Sequence, residues 1–567
     1  MVKIIFYDFE VFKYDWLACY LDTNTREMEY IVNDKMALES MYSKYKNEIW
    51  VGYNSRQYDV YIAKAILCDF NPYVISDWII NKDRKGWEFS REFNKFPIMN
   101  YDCVHGFRSL KELMAFQGHS IIETSVPFDI DRKLTEKELE ETIKYCKNDC
   151  METLNVFVED SIEFESHMAM LKEFNLPLYY INKTKVQLSA IILGAVKKKY
   201  HDEFDISFPD VLNLGKYEWV KEWYLNWSQT SKNYEEIELK TNIADVSHTF
   251  GIGGLHGSQD KYFGEGDYLM ADVKSYYPFI MVKYNFLSRG VTNPEKYETI
   301  LTDRLEMKKN HNPREAPRKI VLNGTFGASK DMWNNLYDPR QANNVCITGQ
   351  LLLVDLIEKL EGKCELIQSN SDGILLKLLH KEDKCSILEI CHEWEVRTKM
   401  ELEFDDVSKV IQSNVNNYII VQKNGKIKRK GAVVKELSNL DNDLPIVNKA
   451  VVDYFIYNIP VEQTIMSATL LMDFQKITKM TNKYEYLHHN GEIINGKVQR
   501  CFASLDSNDG TVYKKHKNKD TLDKTPSTPV SCFIDNTNIV GRGIPTKLDK
   551  QWYIDLATER IENFIGE

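Results

Sequence analysis

Apolar and polar positions along the first 160 residues switch between two periods. "VKIIFYDFEVF" is β-branched and aromatic and predicts a buried strand close to the N-terminus. "EIWVGYNSRQYDVYIAKAIL" predicts a strand, a short loop and a helix. "LTEKELEETIKYCKNDCMETLNVFVED" repeats its apolar residues every three to four positions and predicts a long amphipathic helix. Its start carries a Thr135–Glu138 capping box. Strands alternating with helices predict an α/β unit over residues 1 to about 160. Residues 161 to about 245 read as a mostly helical, aromatic-rich connector.

Further along, "FGIGGLHGS" (Phe250 to Ser258) reads as a Gly-rich turn and "DYLMADVKSYYPFIM" as a strand ending in a turn. Residues 294 to about 332 predict a helical hairpin punctuated by "NHNP" (Asn310 to Pro313). From 364 to about 435 the pattern is one of hairpins and strands. The C-terminal part mixes helices ("VNKAVVDYFIYN", "QWYIDLATERIENF") with a polar, loop-rich insert around residues 490 to 535. Within "IQSNSDGILLKL" (Ile367 to Leu378), Asp-Gly between apolar runs is a hairpin-turn signal. Asp372 is then either a turn residue alone or a carboxylate presented at a strand tip.

Composition narrows the class. At 567 residues the chain is too long for one ordinary domain, and 43% hydrophobic with 28% charged residues is globular. No apolar run approaches the ~18 residues that cross a bilayer. The N-terminal apolar stretch is interrupted by acids and lacks a small-residue cleavage site, so it is not read as a signal peptide. Eleven cysteines without a CxxC pair read as reduced structural thiols of a cytosol-like compartment, Cys146 and Cys150 of "CKNDC" included.

The net charge of −12 argues against a nucleic-acid partner until its distribution is considered. Residues 303 to 330 carry seven Lys/Arg against three Asp/Glu, and 422 to 435 carry six against none. A third basic run, "KKHKNK", begins at Lys514. One such run is an ordinary solvated face; three in an acidic chain suggest an anionic partner.

Two sets of acids carry candidate chemistry. Strand alternation puts Asp8 and Glu10 on one face, where burial is costly without a cation. Tyr145 and Asp149 share a helix face, and Asp59 lies where a strand passes into a helix. Singly, these are also a helix-surface pair and a loop cap. Together, four carboxylates and a tyrosine could hold two Mg²⁺ about 3.5–4 Å apart and orient a water toward a phosphodiester. In the second set, "DVKSYYP" ends a strand at Asp272, and "RKIVLNGTFG" aligns Lys319, Asn323 and Phe326 on one helix face. Asp272 and Asp372, if they meet, form another two-metal site opposite a basic helix suited to a triphosphate.

"DFE" (Asp8, Glu10), "NSRQYD" (Asn54 to Asp59) and "YCKND" (Tyr145, Asp149) resemble, in order, the three motifs of DEDDy 3′→5′ proofreading exonucleases. "DVKSYYP" resembles motif A of family B DNA polymerases (D-x-x-S-L-Y-P) with Tyr276 in place of leucine. "KIVLNGTFG" resembles motif B (K-x-x-x-N-S-x-Y-G), departing at Gly324 and Phe326. "NSDG" falls where motif C (D-T-D-S) belongs, with Asn370 for the first aspartate and Asp372 for the second. The resemblance spans nearly the whole chain and is weakest in the connector and the last ~100 residues.

This resemblance implies an α/β and α+β multidomain fold: an RNase H-like exonuclease domain followed by a right-hand palm, fingers and thumb. The implied domains are exonuclease 1–160, connector 161–245, palm 246–290 and 336–435, fingers 291–335 and thumb 436–567. The activity implied is template-directed DNA polymerisation with proofreading. Asp272 and Asp372 would bind the polymerising metals, and Asp8, Glu10, Asp59 and Asp149 the exonuclease metals, with Tyr145 orienting water. The cofactor is Mg²⁺, two per site, with Mn²⁺ as a substitute.

Tyr277 would select deoxynucleotides, Lys319, Arg304 and Lys308 would contact the triphosphate, and Asn323 and Phe326 would flank the nascent pair. Arg304 and Lys308 read equally as a surface pair. Gly253 and Gly254 would touch template, and Lys428, Arg429 and Lys430 the primer end. Asn370 would support the turn without serving as a main ligand. Partners implied are primer-template and single-stranded DNA, dNTPs, and helicase, primase, single-strand-binding or processivity proteins, with no membrane.

The first motif begins by residue 8, so no extra N-terminal domain is expected. The 47 residues from Asp272 to Lys319 and 49 from Asn323 to Asp372 leave no room for protein-priming insertions. The expectation is a compact phage or plasmid replicase in the host cytoplasm, using an ordinary primer. The alternatives are an exonuclease with a degenerate polymerase half, and a non-catalytic DNA-binding scaffold.

Overall fold

The computed structural model describes residues 3–566. It is a mixed α/β chain whose contacts separate into two compact units. One comprises the residues up to Asn182 with Leu437–Ala450 and Val461–Leu556; the other comprises Lys183–Glu436, Val451–Pro460 and the residues from Ala557 on. The 161–245 stretch holds the helices Ser161–Glu173, Lys185–Ile192 and Glu218–Gln229, has no regular element among the described residues from 193 to 214, and is divided between the units at Asn182.

The first unit is built on a five-stranded sheet of β1 (Ile4–Val11), β2 (Trp16–Asp22), β3 (Glu27–Val32), β4 (Ile49–Gly52) and β5 (Met99–Asp102), in the order β3-β2-β1-β4-β5. β1 pairs parallel to β4 and β4 parallel to β5, with β2 and β3 antiparallel at one edge. A parallel step needs a covering crossover, and after β4 the Asp59–Leu67 helix supplies it, burying Val60, Ile62, Ala63 and Ile66. The long Glu136–Glu159 helix starts at the expected capping box: Thr135 N–H donates to Glu138 Oε2 at 2.8 Å, and Glu138 N–H donates back to Thr135 Oγ1. Through Cys146 and Cys150 this helix packs on Leu17 and Cys19 of β2.

The second unit contains a nine-stranded antiparallel sheet. Its strands are β6 (Leu239–Ile243), β7 (Val246–Phe250), β8 (Leu255–Ser258), β9 (Tyr262–Val273), β10 (Cys364–Ser371), β11 (Gly373–Leu378), β12 (Leu402–Asn414), β13 (Asn417–Gln422) and β14 (Ile427–Lys430), ordered β14-β13-β12-β9-β11-β10-β8-β7-β6. β9 thus lies between β12 and β11. The Pro339–Leu360 helix is buried over most of its circumference, the polar Asn343, Asn344, Gln350 and Asp355 included, and packs in the same unit. The expected helical hairpin is present as Pro294–Lys309 and Glu315–Ser329; Asn293 caps the first helix by accepting from Lys296 N–H.

Two stretches differ from the sequence reading. Residues 364–435 include a helix, Asp383–Thr398, besides their strands. The supposed loop-rich insert is strand-forming. Together with β15 (Lys476–Lys479), the first unit holds β16 (Tyr484–His489), β17 (Glu492–Ile494), β18 (Val498–Ala503), β19 (Tyr513–His516), β20 (Leu522–Lys524) and β21 (Cys532–Ile534), in sheets β15-β18-β21 and β17-β16-β19-β20. Strands such as "LDK" and "YKKH" are too short and too polar to alternate visibly.

Candidate active sites

In the first unit, β1 carries Asp8 and Glu10, and the N-terminus of the Asp59–Leu67 helix carries Asp59, whose Oδ1 accepts the Phe9 N–H at 3.2 Å. That bond fastens Asp59 to the strand between the other two acids. From the Glu136–Glu159 helix, Asp149 joins them, accepting from Lys111 Nζ at 2.5 Å. Lys111 Nζ also lies 4.2 Å from the centre of the Tyr145 ring. Burial raises the pKa of Asp8 and Glu10 well above the carboxylate range, and mutual repulsion with Asp59 and Asp149 raises them further. Burial pushes Asp59 up to about 7, and it raises Asp149 against the opposing pull of Lys111.

Three buried carboxylates and the half-buried Asp8, with a single close lysine, are poorly compensated, so the group is suited to bind cations. All their donors are hard carboxylate oxygens, which fits Mg²⁺. Asp8, Glu10, Asp59, Tyr145 and Asp149 are therefore brought together. The sequence reading missed Lys111. It also missed Cys146, whose thiol donates to Asp8 Oδ2 at 3.4 Å. The only signal for either was that such a cluster needs a counter-charge and a wall.

In the second unit, Asp272 lies near the end of β9 and Asp372 is the single residue between β10 and β11. The hairpin register pairs Asn370 with Gly373, so Ser371 and Asp372 form the turn, and Ser371 takes the positive φ of 59°. Gly373 is not needed for a left-handed backbone. It stands opposite Asp272 across the ladder, and a Cβ there would fall 2.0 Å from Asp272 Oδ1. The bare glycine lets the Asp272 carboxylate lie over the base of the Asp372 turn. Gly254 has a similar duty, since a Cβ on it would meet Ser371 Oγ at 2.5 Å, whereas Gly253 faces open space.

Both aspartates line a cavity of about 220 Å³ together with Asn370, Tyr418 and Lys428. Lys428 Nζ bonds Asp272 Oδ2 at 3.3 Å and Asp405 Oδ2 at 3.2 Å. Desolvation in the cavity raises the pKa of Asp272, with Lys428 opposing; desolvation and then the Asp272 charge raise that of Asp372, although Asp372 is exposed at the turn tip. Two hard carboxylates, the charge of Asp272 raising Asp372, again fit Mg²⁺. Asp405 and Glu403, the latter directly opposite Asp272 on β12, were missed, although the alternation of "LEFDD" puts them on one strand face. Asn370 Nδ2 donates to the Val415 carbonyl at 3.3 Å, a structural bond.

The remaining expected residues separate into free and engaged groups. Lys319 and Asn323 are exposed on the Glu315–Ser329 helix, and Lys319 makes no ion pair among the described residues. Phe326, on the same helix, packs on Tyr277 with ring centres 4.4 Å apart. Arg304 is buried, bonded to Glu315 Oε2 at 3.0 Å and to Ser275 Oγ, and Lys308 holds Glu403 at 2.8 Å. Arg429 and Lys430 sit half-buried on β14 beside Lys428. The glycine loop is fastened by Gln350, which donates to the carbonyls of Gly251 and Gly253.

No family model and no curated protein matches the chain. Among solved structures it is similar to the family B DNA polymerase from the hyperthermophilic archaeon Pyrobaculum calidifontis. That likeness has 12% identity and a TM-score of 0.42, covering 100% of this chain and 78% of that one. Among the described residues no helix is long and apolar enough to cross a membrane.

Proposed function

We propose that the chain is a DNA-directed DNA polymerase of family B type with a 3′→5′ proofreading exonuclease. The observation that supports this most is the approach of Asp272 and Asp372 across Gly373, which turns two sequence-distant motif residues into one carboxylate pair. Mg²⁺, held by Asp272 and Asp372 at one site and by Asp8, Glu10, Asp59 and Asp149 at the other, would supply charge stabilisation and activate the attacking hydroxyl or water.

The chain's own residues do the rest. Lys319, exposed and without an ion pair among the described residues, binds the triphosphate, and Asn323 borders the nascent pair. Tyr277, wedged between Phe326 and Gly349, is rigid enough to exclude a 2′-hydroxyl. Arg304 and Lys308, already bound to carboxylates, position the fingers helices more than they bind phosphate. Lys428 neutralises Asp272 in the resting site, and with Arg429 and Lys430 it meets the primer end. In the exonuclease, Lys111 holds Asp149, and Tyr145 orients the water.

The intervals flanking motif B are filled by the helical hairpin, the Pro339–Leu360 helix and β10, which supports the absence of priming or encircling insertions. The enzyme is then a compact phage or plasmid replicase working from an ordinary primer with partner proteins for unwinding. Primer extension tests the reading. Asp272→Ala should abolish synthesis and spare single-strand degradation, and Asp8→Ala should do the reverse. Loss of both activities in either variant, with folding intact, refutes two separate sites. Unaided synthesis over many kilobases of duplex refutes the dependence on partners.

A further inference from the structure

The exonuclease cluster contains a donor that Mg²⁺ chemistry does not use. Cys146 is fully buried, and its Sγ lies 3.4 Å from Asp8 Oδ2 and 3.6 Å from the Asp8 carbonyl. Ligand atoms of Asp8, Glu10 and Cys146 all fall within 4.8 Å of one another. Glu10 is only 8% exposed, and its carboxylate has no hydrogen-bond partner among the described residues. The buried Glu10 and half-buried Asp8 carboxylates converging on a buried thiol, their ligand atoms within 4.8 Å of one another, form a ligand set that can take an ion. For a tetrahedral zinc with Zn–S ≈ 2.3 Å and Zn–O ≈ 2.1 Å, sulfur and oxygen ligands stand about 3.6 Å apart. The Cys146–Asp8 separation is close to that.

We propose that Asp8, Glu10 and Cys146 form a capture site for a thiophilic divalent cation such as Zn²⁺ or Cd²⁺, and that its occupation switches off hydrolysis. The proposal rests on the exonuclease reading of the same acids. Thiolate selects zinc-like ions over Mg²⁺, which prefers oxygen. On capture a metal–sulfur bond forms as the S–H bond breaks, the proton passes to water, and nothing is oxidised. Asp8 and Glu10 are then drawn toward the sulfur and withdrawn from the geometry that two Mg²⁺ would need. Behind Cys146, Cys150 donates to the Cys19 carbonyl at 3.4 Å and lies in an apolar pocket with Leu17, so the pocket wall holds the thiol against Asp8.

The test uses the full chain with Cys385, the exposed thiol, changed to serine. Cd²⁺ titrated without DNA should produce a thiolate-to-metal charge-transfer absorption that saturates near one equivalent. The absorption should be lost in Cys146→Ala and kept in Cys150→Ala. In Mg²⁺, with each variant compared to its own uninhibited rate, Cd²⁺ should inhibit single-strand degradation at a concentration at least about tenfold lower when Cys146 is present, about 1.4 kcal/mol of binding. Primer extension in the same sample should continue at that concentration. Equal inhibition without Cys146, or an absorption that persists in Cys146→Ala, overturns the proposal. Cys146→Ser serves if the alanine variant does not fold. Absence of any Mg²⁺-dependent degradation would refute the exonuclease reading instead, and the absorption titration would still decide the cation site.

Discussion

Gly373→Ala is the most informative single perturbation of the proposed polymerase site. The added Cβ would stand 2.0 Å from Asp272 Oδ1 and 3.1 Å from the Ala271 carbonyl, and real Cβ atoms do not approach closer than 3.0 Å. The Asp272 carboxylate must therefore move by at least 3.0 − 2.0 = 1.0 Å. A displacement of that size at a reacting centre costs about 10²-fold in rate, some 2.7 kcal/mol of barrier. Overpacking of the half-open turn should cost about 1–3 kcal/mol of stability.

The assay is single-nucleotide incorporation at saturating primer-template, with single-strand degradation measured in parallel. Incorporation should fall about 100-fold while degradation is unchanged, since Asp8, Glu10, Asp59 and Asp149 belong to the other unit. Gly543→Ala, where a Cβ meets nothing within 4 Å, is the neutral comparison. Full incorporation by a stably folded Gly373→Ala protein would show that the position of Asp272 over the turn is irrelevant to catalysis.

Other outcomes follow from single contacts. Lys111→Met should lower exonuclease activity and cost about 3 kcal/mol in urea unfolding, because it strips Asp149 of its close cation inside a buried acidic cluster. Asn370→Asp should not raise polymerase activity; a carboxylate facing the Val415 carbonyl should destabilise the turn by about 1–3 kcal/mol, measured by thermal unfolding. Without divalent metal, stability should fall as pH rises. Asp59 titrates near 7 when folded and near 3.9 when unfolded, so the folded state holds the extra proton between those values. Its share is about 4 kcal/mol, lost between pH 4 and 7. Raised Asp8, Glu10 and Asp149 act in the same direction, and Lys111 opposes. Urea unfolding at pH 5 and pH 8 should show this slope in EDTA, and Mg²⁺ should flatten it; a slope of opposite sign in EDTA would refute the reading.

Elements with strong period or punctuation were legible in the sequence. The capping box at Thr135, the helical hairpin after Asn293 and the hairpin at Asp372 all form where the pattern puts them. Asp8 and Glu10 share a strand face for the same reason. The role of Gly373 was not legible: Asp-Gly signals a turn that needs positive φ, but the structure gives that φ to Ser371 and uses the glycine as empty space for Asp272. Such a requirement comes from Asp272, 373 − 272 = 101 residues away in sequence, beyond any local window. The roles of Lys111, Asp405 and Cys146 were not legible for the same reason, since each acquires its significance from a partner on another element. The short lysine-bearing strands after Glu492 escaped because they have no apolar period to read.

Anomalous diffraction from crystals of the protein with primer-template, a dNTP and Mn²⁺ would test the pairing of distant carboxylates most directly. A Mn²⁺ touching carboxylate oxygens of both Asp272 and Asp372, with Lys428 displaced from Asp272, is the expected result. A Mn²⁺ held by Asp272 and Asp405 alone, with Asp372 turned away in a complete ternary complex, would contradict it.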